Sequence, residues 1–132
     1  MNATQFASGL LLEADQIEEG LELINKRLVT YAVNSLHERT PKDTLYASEN
    51  WNVSVGAIDR STTGDVSPGR TLSEGHGVIS GLTAYGVTFI TNSVAYANRL
   101  ENGHSAQAPN GMVAITYAEM SALSLGRLGA FN

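Results

Sequence analysis

The sequence has no cysteine. That single absence excludes a disulfide framework, thiolate zinc sites and cysteine nucleophiles together. Basic residues are also few. Eight Lys and Arg stand against thirteen Asp and Glu, for a net charge of -5 and a pI near 5.0. A protein that grips nucleic acid needs a basic stripe to release counterions, and no window clusters these eight. A polyanion is expected to slide past such a surface. Long apolar runs are missing too. None approaches the roughly 20 residues of a membrane span. The opening MNATQFASGLLLEADQ has no basic segment ahead of its short apolar run, so no signal peptide is expected. No repeat or low-complexity tract interrupts the chain.

What is present fits one domain of 132 residues. The predicted class is α+β: a long N-terminal helix packed on a small, mainly antiparallel sheet, then a short helix and a C-terminal helix. The first helix is expected over about 4–38. Leu10, Ala14, Ile17, Leu21, Ile24, Leu28 and Tyr31 repeat at spacings of four and three, one apolar stripe that is expected to lie on the chain's own sheet. Leu11, Leu12, Leu23, Val29 and Val33 form a second apolar set, so a neighbouring subunit is the alternative cover. Acids in the first half and Lys26, Arg27 and Arg39 later suit the helix dipole. Thr40-Pro41 ends the helix, because a residue before proline avoids helical dihedrals.

The sheet is expected over about 50–91. NWNVSVGA alternates as a half-buried strand, and VISGL and YGVTFITN read as two more. Residues 59–77 read as a long polar, glycine-rich loop. A helical elbow follows over about 92–125, with a loose tail at 126–132.

Several patterns invite a chemical reading. Gly64–Thr71, GDVSPGRT, has the glycines of a phosphate loop, but Arg70 stands where lysine is needed and no flanking strand and helix are expected. His37, His76 and His104 lack a second histidine at ligand spacing. Glu101 and His104 form one Glu-x-x-His pair, which di-metal bundles use in two copies. Ser105 beside His104 lacks a nucleophile elbow and an orienting acid. Asn52-Val-Ser matches a glycosylation sequon without other signs of secretion. No enzyme, metal or cofactor is expected from these residues.

The stretch YANRLENGHSAQAPNGMV, Tyr96 to Val113, reads instead as a shape. A short helix ends at Asn102-Gly103, Pro109 fixes a turn, and a second element starts after Asn110-Gly111. Tyr96, Leu100, Ala108 and Met112 give it an apolar underside. The stretch resembles the hallmark segment of a tailed-bacteriophage family: the tail-completion or neck proteins, often labelled minor tail proteins. There the pattern is a tyrosine, Leu-Glu-x-Gly, a serine, Gln-Ala-Pro and Gly-Met-Val. TPKDTLYASENWNVSVG resembles the family's Thr-Pro-x-Asp-Thr-Gly segment leading to Asn-Trp-x-Val-Ser, and GVTFITNSVAYANRLE its Ile-Thr-Asn strand end. Leu45 stands where the family usually has glycine, so that turn is expected to avoid positive φ.

The resemblance implies a structural virion protein at the head–tail junction, made in the bacterial host cytoplasm. It implies a ring around the DNA channel, a hexamer first and a dodecamer second, with DNA passing through unbound. Neighbouring neck and tail proteins (terminator, stopper or adaptor) would be its partners, with no membrane involved. Tyr96, Arg99, Leu100, Glu101, Gly103, Ser105, Gln107, Ala108, Pro109, Gly111 and Met112 would carry the oligomer or neck contacts. A head-side adaptor or tail-terminator ring, a bacterial adaptor or toxin-like module, and a small metal-dependent or hydrolytic enzyme are the alternatives.

Overall fold

The computed structural model describes residues 2–103 and 105–130, the segment 123–130 by its helical backbone alone. Six elements follow in order: α1 (Ala3–Arg39), β1 (Trp51–Val55), α2 (Arg70–Ile79), β2 (Thr88–Asn92), α3 (Ala97–Glu101) and α4 (Val113–Ala130). This is the expected α+β class with its long first helix and its C-terminal helix.

Helix α1 starts in a capping box. The Gln5 amide donates to Asn2 Oδ1 at 2.9 Å, and the Asn2 amide donates to Gln5 Oε1 at 3.0 Å, which satisfies two otherwise orphaned donors. At the far end Thr40 turns extended ahead of Pro41, and its amide still reaches the Leu36 carbonyl at 3.1 Å. Between these ends the 37 residues extend about 55 Å. Fully buried side chains occur only in the last third. Val29, Ala32, Val33 and Leu36 are buried, whereas every described side chain from Ala3 to Leu23 is exposed except the half-buried Glu22. The stripe that starts at Leu10 therefore does not lie on the sheet. The face that does is set by Val29 and Val33 from the second apolar set, because the body of the protein reaches α1 mainly from Asn25 onward, where Asn25 Nδ2 donates to the Thr83 carbonyl.

The sheet is one antiparallel pair, with α2 in the connection between its strands. Trp51 faces Asn92, Val53 faces Ile90 and Val55 faces Thr88. Trp51 and Val53 point inward and are buried, as the alternation predicts, but Val55 is 52% exposed. The third expected strand is absent from the described residues. Val78 and Ile79 of VISGL instead end α2, with Ser80 as its cap, and the loop expected over 59–77 shrinks to 56–69. Thr71, Gly75 and Ile79 are buried at a four-residue spacing, a helical period. Gly75 and Gly77 hid it from the sequence reading. Gly75 lets α2 close on β1 and α1: a Cβ there would stand 3.2 Å from Val53 Cγ2 and 3.6 Å from Val33 Cγ2.

Two apolar clusters result. Val29, Val33, Val53, Ile79 and Leu82 form one. Leu36, Trp51, Ala108 and Met112 form the other, with Ile90 against both. Helix α4 returns along α1. There the Ser35 and Thr116 hydroxyls are 2.9 Å apart, and Glu119 accepts from Tyr31 and Arg39. The loose tail expected at 126–132 is helical as far as Ala130; Phe131 and Asn132 lie outside the described residues.

Candidate functional site

The stretch from Tyr96 to Met112 folds as an elbow, and Glu101 is its pivot. Glu101 Oε1 accepts from the Met112 amide at 2.8 Å and the Val113 amide at 2.7 Å, and Oε2 accepts from the Ala114 amide at 3.1 Å. The side chain at the end of α3 thus caps the start of α4 in space, filling the donors and the positive end of the dipole that a helix N-terminus leaves open. Burial alone would raise the Glu101 pKa, but the Val113, Met112 and Ala114 amides outweigh it and hold the carboxyl below its ordinary value.

The two Asn-Gly pairs make this closure possible. Gly103 and Gly111 sit at φ 83° and 81°, a region that favours glycine. A Cβ on Gly103 would stand 2.5 Å from the Pro109 carbonyl oxygen, and one on Gly111 would collide with the carbonyl of Glu101. Ala108 and Met112 fill the underside against Leu36 and Trp51.

The elbow docks on the turn that follows α1. Gln107 Oε1 accepts from the Lys42 amide at 2.9 Å, and Gln107 Nε2 donates to Asp43 Oδ1 at 2.5 Å. Trp51 Nε1 donates to Thr40 Oγ1 at 2.8 Å. Asn92 Nδ2 donates to the Ala47 carbonyl at 2.8 Å. Tyr46 and Tyr96 stack at a tilt, 6.4 Å between centroids. An open cleft of about 480 Å³ lies here, between Pro41, Asp43, Tyr46, Tyr96, Leu100 and Ser105. The expectation for Leu45 is overturned: its φ is 63°. The turn keeps the left-handed geometry because the Glu49 amide closes on the Leu45 carbonyl at 2.9 Å and the Ser48 hydroxyl donates to the same oxygen at 3.2 Å.

Of the eleven residues expected to make contacts, several serve the elbow itself: Glu101 as cap, Gly103 and Gly111 as close-approach points, Ala108 and Met112 as core, Leu100 packed beside them. Gln107 is exposed but committed to the 42–43 turn. Ser105 is half-buried at the cleft. Tyr96, Arg99 and Pro109 are exposed.

Sequence reasoning missed Glu49. Its side chain is buried, yet it accepts from the Gly69 amide at 3.1 Å and the Thr71 amide at 3.1 Å, and its Oε1 lies 2.6 Å from His37 Nε2. Burial pushes its pKa up, but the hydrogen bonds from His37, Thr71 and Gly69 outweigh that and lower it. Glu49 caps α2 as Glu101 caps α4. A buried-side acid ahead of a strand was the only sequence signal, and it is indistinct from a solvated charge. The phosphate-loop reading changes its ground accordingly. A helix does start after Gly69, contrary to expectation, but the chain's own carboxylate occupies its anion-binding amides.

The chemistry left is small. His37 is bound to Glu49, and His76 Nε2 lies 3.0 Å from Asn34 Oδ1. His104, the other half of the Glu-x-x-His pair, lies outside the described residues. Both Glu101 oxygens are taken by amides. Among the described residues no three His, Asp or Glu side chains converge as a metal site, and no buried polar side-chain atom lacks a hydrogen-bond partner. No family model, curated protein or solved structure matches this chain.

Proposed function

We propose that this chain is a structural protein of the tailed-phage neck, a ring subunit that joins the DNA-filled head to the tail. The observation that carries the reading is convergence. The segments that resemble the family form two blocks, 40–56 and 86–113, which lie apart in sequence but are hydrogen-bonded sides of one elbow. The shape of such an elbow needs those residue types. Leu45 adds a second, independent support: it is left-handed at the position where the family pattern has glycine.

In this reading Tyr96, Arg99, Ser105 and Pro109, on the open side of the elbow, meet a neighbouring subunit or neck protein. The acidic balance suits a conduit that must not hold DNA. Among the described residues no helix is long and apolar enough to cross a membrane.

The test is a phage that lacks the protein. Head filling and tail growth do not need the junction, so infected cells accumulate full or leaking heads beside separate tails. A ring gains affinity by multivalency, so loss of all contacts at once is close to all-or-none. Electron micrographs showing normally joined particles would end the reading. Loss of tails with intact heads would move the protein into tail-tube assembly.

A further inference from the structure

An apolar stripe runs from the half of α1 that stands clear of the body into the half that meets it, where Leu28 and Tyr31 are half-buried and Tyr31 donates to Glu119. Leu10, Ala14, Ile17, Leu21, Ile24, Leu28 and Tyr31 keep a 3.5-residue period over three heptads. That is the period of a coiled-coil seam, narrower than the face of a helix lying on a sheet. Leu10, Ile17, Leu21 and Ile24 are 51%, 65%, 46% and 38% exposed. Leu10, Ile17, Ile24 and Tyr31 occupy d positions, and Ala14, Leu21 and Leu28 occupy a positions.

We propose that a second copy of this chain covers the seam as an antiparallel two-helix coil. Ala14 meets Ile24 of the second copy, Leu21 meets Ile17, and Leu28 meets Leu10. The charges flanking the seam select this orientation. One flank carries Glu13, Gly20 and Arg27; the other carries Leu11, Glu18 and Asn25. A parallel pair in register sets Glu13 against Glu18 of the second copy, twice. The antiparallel pair sets Glu13 against Arg27 of the second copy, twice, and brings Gly20 to Gly20 at the dyad. Glu13, Gly20 and Arg27 are all exposed. Among the described residues neither Glu13 nor Arg27 has an ion-pair partner in its own chain. Nothing stands within 4 Å of where a Gly20 Cβ would be, so two backbones can approach there. The one like-charge contact left is Glu18 with its own copy, at an exposed position. The contact is isologous and closes at two chains. It does not rest on the neck reading, since it uses the seam of α1 and not the elbow.

The test uses the full chain. Light scattering is expected to give twice the 14.0 kDa chain mass, and Leu21→Asp is expected to return it to the monomer. Glu13→Arg opposes Arg27 of the second copy and weakens the dimer on the order of tenfold, and adding Arg27→Glu restores it. In a parallel pair Glu13→Arg would instead tighten the dimer, because it would face Glu18. The cysteine-free background allows a direct check. An oxidised mixture of Ala14→Cys and Ile24→Cys chains is expected to form disulfides only between unlike chains. Like-with-like disulfides, a tighter Glu13→Arg dimer, a monomer at every concentration, or an assembly indifferent to these changes would each overturn the proposal.

Discussion

Glu101 Oε1 accepts the Met112 amide at 2.8 Å, eleven residues further along the chain. One carboxylate therefore ties the end of α3 to the start of α4 and fixes the direction in which α4 returns along α1. The same device recurs where Glu49 holds the Gly69 and Thr71 amides at the start of α2. Helices α2 and α4 are each placed by an acid from elsewhere in the chain.

Removing the Glu101 cap leaves three amides without their partner. Glu101→Ala is expected to cost about 2 kcal/mol, the range of a lost helix cap or charged hydrogen bond. Glu101→Gln keeps an acceptor without the charge and is expected to lose about half as much. Thermal denaturation reads both; an unchanged melting temperature for the alanine variant would show that the cap is idle.

The pH dependence follows from the same two acids. Both folded pKa values lie below the ordinary value of 4.5. Their stabilisation is therefore fully present above the unfolded pKa and is lost as pH falls through the folded pKa. Denaturant midpoints are expected to hold steady from neutral pH down to about 5 and then to fall. Glu49→Gln should be less stable at neutral pH and should show a shallower acid slope than the parent. An equal slope would assign the acid sensitivity to other carboxylates.

Glycine substitutions should divide by location. Gly103→Ala and Gly111→Ala each combine positive φ with a backbone collision, and each is expected to cost more than about 2 kcal/mol. Gly20→Ala lies in an exposed helix with open space around it. It is expected to stabilise α1 by about 0.5–1 kcal/mol. Urea unfolding of the three variants checks the ordering, and similar values for all three would refute it.

Leu45 offers a sharper comparison. At φ 63° a β-branched side chain is more strained than leucine, and glycine is not strained at all. Leu45→Val is expected to lose about 1–2 kcal/mol. Leu45→Gly trades relief of strain against chain entropy and side-chain burial, and is expected to stay within about 1 kcal/mol of the parent. A valine variant as stable as the glycine variant would mean that the turn rearranges.

The sequence by itself determined α1 and its end, because the apolar period and the Thr40-Pro41 stop are local signals. It determined the β1 face at Trp51 and Val53, since alternation needs only nearest neighbours. It also marked Gly103 and Gly111 as turn points, because Asn-Gly is a local preference. Tertiary structure decided what local signals cannot carry. Gly75 and Gly77 weaken helix propensity, yet α2 forms because Glu49, twenty residues earlier in the chain, takes its free amides, and because a bare Gly75 lets it lie on Val53. The positive φ at Leu45 is imposed by the bonds that Ser48 and Glu49 make to its carbonyl. Which apolar face of α1 is buried was decided by where the body reaches the helix. Both faces satisfy the helical period, and period alone does not say which one meets protein.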